Sequence, residues 1–89
     1  MTWKVELLPQ AERELGKLDP KNARRITRFL YERIARLENP RSIGEALHGH
    51  RFGEFWKYRV GDYRLITKIE DDRLLVLVLR VGHRREIYR

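Results

Sequence analysis

The sequence predicts an α+β domain in which a two-helix hairpin covers one face of a mostly antiparallel sheet of three to four strands. Three observations carry this. Apolar residues alternate with polar ones over the opening segment. Two stretches between Pro9 and Asn39 then repeat their apolar residues at helical spacing. Three strand-like runs follow, separated by turn dipeptides.

Residues 2–8 read as a strand, with Trp3, Val5 and Leu7 alternating against Lys4 and Glu6. Pro9 can open a helix, because its missing N–H is not needed in a first turn. Ala11, Leu15 and Leu18 form the apolar side of that helix, and Glu12, Arg13 and Lys17 face elsewhere. Asp19-Pro20 starts a second helix, a capping carboxylate followed by a proline at the first position. Its apolar stripe is Ala23, Ile26, Phe29, Leu30, Ile34 and Leu37. Arg25, Arg28, Glu32 and Arg36 lie opposite at salt-bridge spacing and read as a solvated face. Asn39-Pro40 ends the helix, since a residue before proline avoids helical angles.

Residues 41–53 read as a connecting loop anchored by Ile43 and Leu47. Residues 54–60, 63–70 and 73–81 read as strands, with Gly61-Asp62 and Asp71-Asp72 as hairpin turns. Residues 82–89 form a short tail. All 89 residues belong to one domain, with a core that is workable but thin at this length.

The chain has no cysteine, which excludes disulfides and thiolate metal sites and fits a reducing compartment. No apolar run approaches the roughly 20 residues of a membrane span. The opening residues lack the basic and apolar regions of a secretion signal, so a cytoplasmic protein without a membrane partner is expected. Twenty Lys and Arg against thirteen Asp and Glu leave a net charge of +7. Such an excess concentrates and captures polyanions, nucleic acid above all.

The placement of charge sharpens this. A two-residue loop at Gly61-Asp62 pairs Arg59 with Arg64 and Lys57 with Ile66. One face of the ribbon then carries Trp56, Tyr58, Val60, Tyr63 and Leu65, and the other carries Lys57, Arg59 and Arg64. Like charges directly opposite each other destabilise a strand pair, and a bound anion resolves the conflict. A slip of one residue in register would undo this arrangement. The tail adds His83, Arg84, Arg85 and Arg89, interrupted by Ile87 and Tyr88, so it is expected to pack in order. Gly82 is expected to break the strand and swing the tail across the sheet. His48 and His50, without nearby carboxylates, are a weak ligand pair, and neither a metal nor another cofactor is expected.

Tyr63-Arg64-Leu65 after Val60-Gly61-Asp62, the approach Leu47-His48-Gly49, and the closing run Val81-Gly82-His83-Arg84-Arg85-Glu86-Ile87-Tyr88-Arg89 resemble the RelE/ParE superfamily of bacterial type II toxins. The resemblance covers nearly the whole chain. It implies a microbial RNase-like fold and neutralisation by a RelB-like antitoxin in a hetero-oligomeric complex. In the RelE branch it implies cleavage of messenger RNA on the ribosome. The active residues of that branch fall by position on Lys57, Arg64, Arg84 and Tyr88. Phe55 stands where such ribonucleases often carry another lysine, and Arg51 or Arg59 could supply that charge. The ParE branch shares the fold but inhibits DNA gyrase, and is the alternative reading.

RNA can be cut without metal when its 2′-hydroxyl attacks the neighbouring phosphorus. The reaction needs a base, an acid and positive charge on the phosphorane. Arg64 and Arg84 suit the last role, because guanidinium matches phosphate bidentately. Lys57 can protonate the leaving oxygen or itself serve as the base. Tyr88 is the preferred base, its phenol made more acidic by surrounding cations, and could instead stack on a nucleobase. Arg51, Arg59, His83 and Arg85 are expected to contact RNA, and Glu45 is a second candidate base delivered from the loop.

Overall fold

Asp19 caps the second helix as its position predicts. In the computed structural model, which describes residues 2–47 and 55–87, its side chain accepts from the Asn22 N–H, with Pro20 next in line. The elements are β1 (Lys4–Leu7), α1 (Pro9–Gly16), α2 (Pro20–Arg28), β2 (Glu45–Ala46), β3 (Phe55–Val60), β4 (Tyr63–Glu70) and β5 (Leu75–His83). The expected single long helix is instead α2 followed by a wider π turn at Phe29–Arg33 and a 3-10 turn at Ile34–Arg36. Ile26, Leu30 and Ile34 recur every four residues and are all fully buried. That spacing overshoots an α-helical turn, and the wider turn absorbs the drift so that all three face the sheet.

The described residues form a five-stranded sheet in the order β1-β5-β4-β3-β2. β1 runs parallel to β5 and the remaining pairs are antiparallel. The strand beyond the expected number is β2, a two-residue strand inside the expected loop, too short to show a period. The β4–β5 connection is also longer than expected. Glu70 pairs with Leu75, so four residues intervene, forming a 3-10 turn at Asp71–Arg73 and a left-handed Leu74. Arg41 clamps this turn through a two-pronged bond to Asp71, at 2.8 and 2.9 Å.

The core lies between the helices and one sheet face. Ala11, Ile26, Leu30 and Ile34 meet Tyr58, Val60, Leu65, Val76, Val78 and Val81 there. Trp3 fastens the end of the helical hairpin, its N–H donating to Ala35 O at 2.7 Å and its indole to Glu38 O at 3.2 Å. Tyr58 is wholly buried, donates its hydroxyl to Pro40 O at 2.6 Å, and has its phenol pKa pushed up by burial. Among the described residues no helix is long and apolar enough to cross a membrane.

The opposite face of the sheet is not bare. Ile66, on the same face as Arg64, is only 2% exposed. It places an apolar floor among the cations of that face.

Candidate functional site

The β3–β4 register fixes the site. Tyr58 pairs with Leu65 and Val60 with Tyr63 toward the core, so Lys57, Arg59 and Arg64 alternate onto the helix-free face. This is the register expected from a Gly61-Asp62 loop. Gly61 sits at φ +61°, a left-handed conformation that glycine adopts without steric cost.

Arg59 therefore stands opposite Arg64, but their surroundings differ. Arg59 is exposed, whereas Arg64 is 7% exposed. Arg64 folds back on its own hairpin, with Nη1 donating to Gly61 O at 3.0 Å and to Tyr63 O at 2.9 Å. Among the described residues no carboxylate pairs with it, and no bond leaves its Nε or Nη2. A guanidinium has five N–H donors, so an edge is left for another acceptor.

Lys57 lies opposite Glu45 on β2, and Lys57 Nζ is 3.4 Å from Glu45 Oε2. Glu45 thus comes from a strand rather than from a loop. The cationic face therefore includes a carboxylate, paired with Lys57 across two strands. Gly44 makes this possible. A Cβ at Gly44 would collide with the Trp56 indole and lie 2.9 Å from Tyr58 Cε1, so only glycine lets β2 settle against β3.

Arg84 follows the end of β5. Its N–H donates to Asp62 O at 2.8 Å, and its Nε is 3.9 Å from Asp62 Oδ1. Arg64 and Arg84 are thus anchored to adjacent residues of one turn. Gly82 does not break the strand as expected. It pairs with Arg64 inside β5, and the chain turns only after His83. A Cβ on Gly82 would lie 2.8 Å from Ile87 Cδ1, so the missing side chain leaves room for Ile87 to fold back onto that face. Ile87 is 2% exposed, and the tail is packed to this point.

His83 falls elsewhere. It pairs with Tyr63, and the two rings meet edge-on with centroids 5.8 Å apart. Strand alternation puts it on the helix side of the sheet, away from Arg64. Its Nδ1 accepts the Arg85 N–H at 3.2 Å, and the Arg85 side chain is exposed. Arg51 and Tyr88, with His48 and His50, lie outside the described residues.

One cation near this face is committed to structure. Glu14 on α1 grips Arg80 through bonds of 2.9 to 3.2 Å and accepts the Val81 N–H at 3.0 Å. Partial burial pushes the Glu14 carboxyl up, but the Arg80 and Val81 bonds outweigh it and hold the group below the usual range. Separated by 66 positions, the pair leaves no local signal in the sequence. What remains on the helix-free face is a buried guanidinium with free donors, bordered by Lys57, Arg59 and the packed tail, an arrangement suited to an anion.

Comparison with known proteins agrees with this architecture. The family described as ParE toxin of type II toxin-antitoxin system, parDE, matches residues 5–88. Toxin RelG of Mycobacterium tuberculosis (strain ATCC 25618 / H37Rv) is 35% identical over 89 residues, spanning 100% of this chain and 99% of that protein. Among solved structures, the toxin–antitoxin complex RelBE2 from Mycobacterium tuberculosis matches with a TM-score of 0.85 and 29% identity, covering 97% of this chain and 95% of that one. The archaeal RelE–RelB complex from Pyrococcus horikoshii OT3 matches with a TM-score of 0.73 and 25% identity, covering 97% and 99%. The chain belongs to the ParE toxin family of type II toxin–antitoxin systems, within the RelE/ParE superfamily.

Proposed function

We propose that this toxin is a metal-independent endoribonuclease that cuts messenger RNA on the ribosome. The observation that carries the reading is Arg64. Its guanidinium meets two backbone carbonyls and no carboxylate among the described residues, so N–H donors and an uncompensated positive charge are left for an arriving anion. Phosphate is the anion whose geometry guanidinium matches.

In the proposed reaction the RNA 2′-oxygen bonds to the adjacent phosphorus and the bond from phosphorus to the 5′-oxygen breaks. The products are a 2′,3′-cyclic phosphate and a 5′-hydroxyl. Arg64 and Arg84 hold the phosphorane oxygens, whose negative charge grows in the transition state. Lys57 gives a proton to the departing 5′-oxygen. Tyr88 takes the 2′-proton, and Glu45, next to Lys57, is the second acceptor on the same face. Arg51, Arg59 and Arg85 add charge along the RNA.

The cognate partner is a RelB-like antitoxin, a reading supported by similar structures that are toxin–antitoxin complexes. Its acidic residues would meet the basic surface of a chain carrying +7, and the pair works in the cytoplasm. A second reading, inhibition of DNA gyrase, is favoured by the ParE description of the matched family.

The two separate in vitro. Purified toxin and translating ribosomes should give RNA fragments with 5′-hydroxyl and cyclic-phosphate ends. Uncut RNA alongside gyrase-dependent DNA breaks would reverse the assignment.

A further inference from the structure

α2 sets Lys21, Arg24, Arg25 and Arg28 on successive turns, and Arg33 follows in the wider turn beyond it. Together with Arg59 they line a cleft of about 770 Å³ between the helix and the tip of the β3–β4 hairpin. All six are exposed. The helix face was expected to be solvated and laced with salt bridges. Within the cleft only Glu32 is acidic, and it reaches Arg28 at 4.0 Å. Arg25 rests its guanidinium against the turn, where a Cβ on Gly61 would lie 2.7 Å from Nη1. Six cations around one concavity repel each other unless something anionic occupies it.

We propose that this cleft is a second RNA-backbone site, holding phosphates of the strand that continues from the site around Arg64. The inference rests on the nuclease reading. Two observations favour RNA over an acidic protein segment. The cations recur about once per helical turn, roughly 5.4 Å, which suits a polymer charged at every unit. Arg59 is shared, lining the cleft while standing opposite Arg64. β2 pairs with β3 only at Trp56 and Lys57, so beyond Lys57 the outer edge of β3 has no ladder partner among the described residues. A strand can pass around that edge from one site to the other.

The test is the affinity of the full-length toxin for a 12-nucleotide 2′-O-methyl RNA, which cannot be cut, measured across a salt series. A polyglutamate peptide serves as the competing probe. In the variant Arg24→Gln/Arg28→Gln/Arg33→Gln, RNA binding should weaken at least about tenfold and the salt slope should flatten by roughly two units, at about 0.7 per lost phosphate contact. Arg24→Gln and Arg28→Gln alone should each remove about 0.7 unit, which keeps the test open if the triple variant folds poorly. Unchanged RNA affinity and slope would overturn the proposal. Polyglutamate that displaces RNA and loses affinity by the same factor would give the cleft to an acidic protein instead. Failure of the nuclease reading looks different: RNA is bound through the cleft, while messages on translating ribosomes are left uncut.

Discussion

Arg59 and Arg64 stand directly opposite each other on β3 and β4, yet Arg59 lies in water and Arg64 is 7% exposed. Two backbone carbonyls of the adjoining turn hold Arg64 in place. They orient the guanidinium but bring no opposing charge, and that leaves it poised for an anion.

Arg64→Lys keeps the charge and loses the fork. We expect kcat/KM on RNA to fall about 100-fold, the usual effect of losing a donor to a developing oxyanion. Arg59→Ala should cost less than about tenfold, because an exposed cation is screened. Steady-state cleavage and a thermal melt of each variant check this. A lower Tm for Arg64→Lys with undiminished cleavage would make Arg64 a brace for the turn only.

Tyr88→Phe and Arg84→Ala are each expected to relieve growth arrest when the chain is expressed without an antitoxin. Loss of an acid–base group costs roughly 100-fold or more, whereas Glu45→Gln should cost less than about tenfold if Tyr88 is the base. Plating efficiency after induction, with matched protein levels, reads this out. The reverse order would transfer the base to Glu45.

The grip of Glu14 on Arg80 predicts a pH dependence. The folded Glu14 carboxyl lies below its ordinary value of 4.5, so its contribution is complete above that pH and fades as the pH falls through the folded value. Glu14→Gln should cost about 2 kcal/mol at pH 7, the scale of a charged hydrogen bond. Urea denaturation should show the gap from wild type narrowing as the pH falls below 4.5. A gap independent of pH would contradict the assignment.

Gly82→Val should push Ile87 off the sheet. A Cβ there already meets Ile87 Cδ1 at 2.8 Å, and overpacking of this kind costs about 1 to 3 kcal/mol. We expect cleavage to drop further than stability explains, because the displaced tail carries Arg84 and Tyr88. Denaturation and cleavage assays on one sample separate the two effects.

Much of this was legible in the sequence. The Gly61-Asp62 turn fixed the β3–β4 register, and with it the shared face of Lys57, Arg59 and Arg64. Asp19-Pro20 marked the start of α2. Contacts between distant segments were not legible. Glu45 reaches Lys57 through a strand too short to show alternation, and Glu14 finds Arg80 only because α1 packs beside β5. The cleft escaped for a similar reason. The α2 arginines have salt-bridge spacing along the helix, and only the hairpin tip facing them makes a concavity.

The most direct test of the central claim is a map of RNA 5′ ends in cells after brief induction of the wild-type toxin and of Arg64→Ala. The account predicts new 5′-hydroxyl ends inside translated codons with the wild type and their disappearance with the variant. Intact messages accompanied by DNA breaks, or cleavage that persists in Arg64→Ala, would contradict it.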